Sequence, residues 1–352
     1  NINSKFNPRF QIINDNNIDL CQRLKSIKET FKSNIVINKD GLCGGKGVYV
    51  EGEHFNVSNL SIESDFLMGL SDYLSIESNC LVIEEKLVGI EFSLMTITDG
   101  NGVVNLKPVF DYKRLENNDT GPNTGSMGCV LLTDNNLMNL VDSNLIWEAE
   151  SVNKRVINYL SNLNDVKYQG VLYGSFMVCN NELKVIEFNC RFGDPEGAVA
   201  LLNLDLDLIE ILNSAENGVL SELPKQKKLQ TNIVGVYLVP ENYAVNNAES
   251  SEKYDIFFRG DLANVNKKLL DENLENLNTE ISIVYGDCDI NGDHIYTRKS
   301  RTLLLLGKSK VLYKAINLVY KNIENIVSKL KYRTDIGSKF ITKYEMAGVS
   351  IS

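Results

Sequence analysis

Lys184-Val185-Ile186-Glu187-Phe188-Asn189-Cys190-Arg191-Phe192-Gly193-Asp194-Pro195-Glu196 alternates polar and apolar residues from Glu187 onward, then breaks at a Gly-Asp-Pro turn. On a strand, residues two apart share a face. Glu187 and Asn189 therefore present two hard oxygen donors side by side, and Arg191 continues that face. Such donors suit Mg2+ (or Mn2+), an ion that takes few protein oxygens and completes its shell with nucleotide phosphates. A planar guanidinium beside them matches a carboxylate, or the acyl phosphate made from one, in bidentate fashion. The stretch predicts ATP as a co-substrate, Glu187 and Asn189 as metal ligands, and Arg191 as the group that meets the activated carboxylate.

Working upstream, residues 170–178 and 183–188 read as paired strands joined at Asn180-Asn181, and residues 144–163 as a helix. Asp111-Tyr112-Lys113-Arg114 precedes the turn Gly121-Pro122-Asn123-Thr124-Gly125-Ser126-Met127-Gly128. A basic cluster joined to such a loop suits closure over an anionic intermediate and exclusion of water. Residues 80–85 read as a strand, and 91–98 as an alternating strand ending at Asp99-Gly100-Asn101-Gly102. Main-chain groups from Glu84 and Glu85 to Leu87 suit the edge of an adenine ring, and Glu91 suits ribose hydroxyls.

Further upstream, Asp40-Gly41-Leu42-Cys43-Gly44-Gly45-Lys46-Gly47 sets four glycines around one lysine, between strands at 34–37 and 48–50. Gly44, Gly45 and Gly47 let the backbone approach phosphates, and Lys46 supplies mobile positive charge. No Ser or Thr follows the lysine and no helix follows the loop, so it is not a Walker A loop. Residues 18–33 have helical periodicity. Downstream, residues 221–230 read as a linker containing Pro224. Strand signals at 233–239, 281–285 and 302–306 and a helix over 309–330 then make a small α+β unit.

The balance of 36 basic against 46 acidic residues, net charge -10, disfavours a general grip on nucleic acid or anionic lipid. No apolar run approaches the roughly 20 residues that cross a bilayer. Seven scattered cysteines, never spaced as CxxC, argue against a disulfide framework or zinc knuckle and fit a reducing cytoplasm.

In this order the motifs resemble the ATP-grasp ligases, and within them the glycinamide ribonucleotide synthetase (phosphoribosylamine-glycine ligase) family. Residues 40–48, DGLCGGKGV, are similar to that family's DGLAAGKGV; 82–93, VIEEKLVGIEFS, to VIEEFLDGEEFS; and 184–196, KVIEFNCRFGDPE, to KVIEFNARFGDPE. FDYKR at 110–114 with GPNTGSMG at 121–128, GVLYGSFM at 170–177, and the C-terminal RTLLLLGKSK and YRTDIG follow suit. The resemblance implies an α+β chain, with an ATP-grasp fold of two α+β subdomains gripping ATP, followed by a small C-terminal α+β domain. The family's N-terminal domain has no counterpart. Residues 1–227 are then the ATP-grasp region and 228–336 the C-terminal ligase domain. Residues 337–352 resemble the opening of a fused aminoimidazole ribonucleotide synthetase, as in a bifunctional purine enzyme.

The implied reaction joins glycine to 5-phosphoribosylamine through glycyl phosphate, in cytoplasmic purine biosynthesis, with no nucleic acid or membrane partner. It places Lys46, Gly44, Gly45, Gly47, Lys39, Glu84, Glu85, Leu87 and Glu91 around the nucleotide, and Glu187 and Asn189 on the metal. Arg191, Lys113, Arg114, Asp111 and Asp194 serve the reacting groups. Lys39 stands one position from the family's lysine and so on the opposite strand face. Gly197-Ala198, Phe257-Phe258-Arg259-Gly260 and Glu241-Asn242-Tyr243 also depart from the family pattern. These departures leave two other readings open: a ligase with a different carboxylate and amine, and a nucleotide-binding scaffold without turnover.

Overall fold

The computed structural model describes residues 4–15, 19–41, 47–61, 64–76, 79–163, 166–225, 229–244, 253–260, 263, 281–292 and 294–341. The chain divides into two compact units, Asn1–Ile90 with Met177–Ile186, and Glu91–Phe176 with Glu187–Ser352. Both mix helices with antiparallel sheet, as the α+β expectation requires.

The first unit runs β1 (Phe10–Ile13), α1 (Leu20–Phe31), β2 (Ile35–Lys39), β3 (Val48–Val50), α2 (Asp65–Leu74) and β4 (Leu81–Glu85), with sheet order β1-β4-β2-β3. Ile35 and Ile37 are buried while Val36 and Asn38 are half-buried, the period-two signature of a one-faced strand. Leu20, Leu24, Ile27 and Phe31 recur at helical spacing on α1 and pack into the same core as Leu67, Leu70, Leu81 and Ile83. Asp19 caps α1 by accepting from Gln22 N–H at 3.0 Å, and Lys32, in the left-handed conformation, ends it. The buried Glu51 carboxylate is fully partnered, accepting from Lys28 Nζ at 2.5 Å, Ile35 N–H at 3.0 Å and Val57 N–H at 3.2 Å. Residues 42–46, with the expectations for Gly44, Gly45 and Lys46, lie outside the described residues.

In the second unit, β5 (Ile90–Thr98), β6 (Val103–Asn105), β7 (Val109–Asp111), β8 (Arg114–Glu116), β9 (Thr120–Asn123) and β10 (Gly128–Leu131) lead into α3 (Asp134–Met138) and α4 (Ser143–Leu163). The strands β11 (Gly170–Cys179) and β12 (Glu182–Asn189), whose hairpin tip groups with the first unit, are followed by α5 (Glu196–Leu201), α6 (Leu208–Glu216) and β13 (Asn232–Pro240). Then come β14 (Asp255–Phe258), β15 (Ile281–Tyr285), β16 (Cys288–Asn291), β17 (His294–Thr297), β18 (Leu303–Ser309), α7 (Leu312–Ile323), β19 (Ile326–Val327) and β20 (Leu330–Lys331). The main sheet has ten strands in the order β12-β11-β5-β7-β10-β13-β18-β15, with β6 on β5 and β20 on β13. A second sheet runs β16-β17-β14-β19.

Two expectations need correction. Strand β5 is buried continuously from Phe92 to Thr98 rather than on alternate faces, because sheet neighbours and packed side chains cover both of its sides. The last helix stops at Ile323 instead of running to 330, since Ile326-Val327 and Leu330-Lys331 pair as strands with Phe257-Phe258 and Val239-Pro240. Residues 342–352 lie outside the described residues, and with them most of the stretch expected to open a fused domain.

Candidate active site

At the end of β12 the alternation holds. Asn189 Nδ2 donates to Glu187 Oε1 at 3.0 Å, and Arg191 donates through Nη1 to the Phe192 carbonyl at 2.9 Å and through Nη2 to Asn189 Oδ1 at 3.5 Å. The three form one chain of contacts on an accessible face. Among the described residues no group of three or more His, Cys, Asp or Glu side chains is arranged to hold a metal alone. A carboxylate and an adjacent amide oxygen fit an ion such as Mg2+, which needs only one or two protein oxygens when substrate phosphates and water supply the rest.

A second polar cluster lies on β5 and β7. Lys113 Nζ pairs with Glu91 Oε1 at 2.5 Å, and Ser175 Oγ donates to the same oxygen at 3.3 Å. Burial disfavours the Lys113 ammonium, but Glu91, Asp111 and Glu187 outweigh it and hold its pKa above the ordinary value. Asp111 behaves in the opposite sense. Its Oδ1 is buried without a hydrogen-bond partner among the described residues, and burial, with Glu196 and Glu91 nearby, pushes its pKa up to about 7 against the pull of Ser126 and Lys113. Arg114 is turned into its own hairpin, donating to the Gly121 carbonyl at 2.9 Å.

Two further residues carry contacts that the sequence motifs do not assign. Glu196 is 4% exposed and accepts from Tyr173 O–H at 2.8 Å. A side chain at Gly193 would come within 2.8 Å of both the Glu196 carboxyl and the Tyr173 ring, which is why the turn needs glycine there. Arg301 donates to the Gly125 carbonyl at 2.7 Å, to the Asp194 carbonyl at 2.5 Å and to Asp194 Oδ2 at 2.8 Å, while lying over the Tyr237 ring. It thereby ties the glycine-rich turn to the Gly-Asp-Pro turn. Tyr237 O–H adds a hydrogen bond to Asp194 Oδ1. Glu196 stood at the end of the quoted motif and was legible there. Arg301 opens the quoted RTLLLLGKSK stretch, but nothing local there signals its contact with Asp194, more than a hundred residues upstream.

In the first unit, Glu85 is taken up by Arg9, at 2.8 Å from Nε and 2.7 Å from Nη2. Burial opposes its charge, but the Arg9 contacts prevail and lower its pKa. Glu84 is raised by burial, partly offset by a 2.7 Å hydrogen bond from Asn38. The Lys86 N–H is bonded to the Asn34 carbonyl, whereas the Leu87 N–H has no partner among the described residues. Lys39 lies over the rings of Tyr73 and Tyr49, at 4.8 and 5.7 Å. Gly47 bonds through its carbonyl to Lys39 N–H at 2.9 Å, closing the base of the glycine loop.

Residues 8–197 match the family described as "Phosphoribosylglycinamide synthetase, ATP-grasp (A) domain". A protein named phosphoribosylamine-glycine ligase from Methanocella arvoryzae is 31% identical over 96% of this chain and 70% of its own length. One of the same name from Methanosarcina barkeri is 30% identical over 86% of this chain and 64% of its own length. The chain thus spans roughly two thirds of these relatives. The crystal structure of phosphoribosylamine-glycine ligase from Thermotoga maritima superposes with a TM-score of 0.69 at 23% identity, covering 94% of this chain and 74% of that one, which shows a shared fold.

Proposed function

This chain belongs to the phosphoribosylglycinamide synthetase ATP-grasp family, and from that premise we propose that it is an ATP-dependent ligase joining glycine to 5-phosphoribosylamine. The observation that carries the proposal is the joined face of Glu187, Asn189 and Arg191, two oxygen donors and a guanidinium within hydrogen-bonding reach of one another. Glu187 and Asn189 would hold Mg2+, which supplies charge neutralisation at the nucleotide phosphates. Leu87 N–H and the neighbouring main chain would meet the adenine, and the loop containing Gly44, Gly45, Lys46 and Gly47 the phosphates, with Lys39 nearby.

In the reaction so proposed, glycine's carboxylate attacks the γ-phosphate to form glycyl phosphate and ADP; the amine then attacks the acyl carbon and releases phosphate. Neither step requires an enzyme nucleophile, so the protein contributes placement and fixed charge. Arg191 and the Lys113 ammonium, kept charged by Glu91, offset the negative charge of the acyl phosphate. The buried Asp111, whose pKa of about 7 leaves it poised between its two forms, faces the same cluster and suits an ammonium or the proton that it sheds. Asp194, fixed by Arg301 and Tyr237, shapes the turn beside them. We place this activity in the cytoplasm within purine biosynthesis and propose that residues 337–352 open a fused aminoimidazole ribonucleotide synthetase, the preceding parts being a 1–227 catalytic region and a 228–336 C-terminal ligase domain.

Glu187→Ala should abolish glycine- and phosphoribosylamine-dependent ADP release in the full-length protein while leaving its thermal unfolding near that of the parent, since Glu187 is exposed. Near-normal turnover would overturn the metal assignment, and turnover in the parent with other amino acids but not glycine would overturn the substrate.

A further inference from the structure

Arg333 is 1% exposed, among the largest fully buried side chains described, and lies outside the site as described above. Its guanidinium donates to Asp335 through Nε and Nη2 at 2.8 and 2.7 Å, and through Nη1 to Asp119 Oδ1 at 2.8 Å and to the Arg114 carbonyl at 3.1 Å. Its flat face covers the Tyr112 ring at 4.9 Å, and Lys339 lies 4.4 Å from the same ring. Tyr112 O–H in turn accepts from Gly337 N–H at 2.9 Å. The flanks are also stitched: Asn117 and Thr334 exchange two hydrogen bonds, at 2.8 and 2.9 Å, and Asn118 N–H donates to Asp335 Oδ2 at 2.8 Å.

The stitched segment is the one that carries the substrate groups. Sheet-like pairing continues past β7, with Tyr112 N–H on the Gly128 carbonyl at 2.9 Å and Met127 N–H on the Tyr112 carbonyl at 2.8 Å. In an extended chain Tyr112 points opposite to Asp111 and Lys113. The contacts agree: Tyr112 meets Arg333, whereas Lys113 meets Glu91. We propose that Arg333 is a positioning residue, which grips Tyr112 and the following hairpin from behind and so fixes Asp111 and Lys113 toward the bound amino acid and amine. The claim rests on the functional reading for its substrates, though not for its geometry. Five N–H groups in a rigid fork explain why an arginine stands here, since a lysine offers no equivalent to two carboxylates and a carbonyl at once.

Arg333→Lys in the full-length protein tests it. Deuterium uptake over residues 109–124 should quicken about tenfold or more, with residues 35–39 and 81–85 unchanged. The KM values for glycine and phosphoribosylamine should rise about tenfold with that for ATP within about twofold. Unaltered uptake over 109–124, or equal losses for all three substrates, would overturn the proposal. If Arg333→Lys fails to fold, Tyr112→Phe, which removes the acceptor for Gly337 N–H, is held to the same pattern at smaller amplitude. A purely structural role would lower the melting temperature without the KM split. Absence of ligase turnover in the parent would count against the functional reading, while the uptake pattern would still decide the placement.

Discussion

Asp111 shows how one residue's behaviour depends on its surroundings. A carboxyl group ordinarily titrates near ~3.9, and here burial beside Glu196 and Glu91 raises it to about 7. Folding therefore favours the protonated form. The stability that this group contributes is complete below the unfolded carboxylate's pKa and is lost as pH rises from there through the folded value. Asp111→Asn, which keeps the neutral shape, should match the parent's melting temperature near pH 4 and exceed it by several degrees at pH 8. Parallel pH profiles for the two proteins would contradict this account. Asp111 is legible in the motif because it stands beside Lys113 and Arg114, but its titration is not: nothing local signals that Glu196 and Glu91 come close. Arg114 carries the converse lesson, for its basic side chain turns into its own hairpin.

At the level of elements, turn chemistry and periodicity were informative. The β11–β12 hairpin turns at Asn180 and Asn181, whose φ values of 50° and 62° put both in the left-handed region that asparagine tolerates. The β10 strand is more demanding. Gly128 has φ 151°, and a Cβ there would sit 2.3 Å from the Gly235 carbonyl of β13. Gly128→Ala should therefore force β10 and β13 apart at the register Cys129↔Gly235 and destabilise the chain by about 1–3 kcal/mol, measured by urea unfolding. A change within experimental error would mean that the strands yield without cost. Helix α7 shows where periodicity misleads. Its apolar spacing continues to Leu330, yet Ile326-Val327 and Leu330-Lys331 satisfy their backbone groups on neighbouring strands, and partners far along the chain decided between helix and sheet.

Among the described residues, one hydrophobic core gathers around Leu24, Ile35 and Leu81 and another around Met95, Ile233 and Leu304. Leu24→Ala and Leu304→Ala should each cost about 2–5 kcal/mol, and hydrogen exchange should accelerate chiefly in the unit that carries the substitution. Acceleration spread evenly through both units by either change would show that they unfold as one. The sequence alone determined the strands flanking the glycine loop and the Glu187-Asn189-Arg191 face, because these rest on which side of an element is polar, and the local chain encodes that. Only the tertiary structure decided that Arg301 clamps Asp194 to Gly125, that Arg333 grips Tyr112 and Asp119, and that Glu91 pairs with Lys113. The partner of a charged group is whichever element folding brings opposite it, and no periodicity spans the more than two hundred residues between Asp119 and Arg333. The Glu187-Asn189-Arg191 face was therefore legible within a single strand, and the supports that hold its neighbours in place were not.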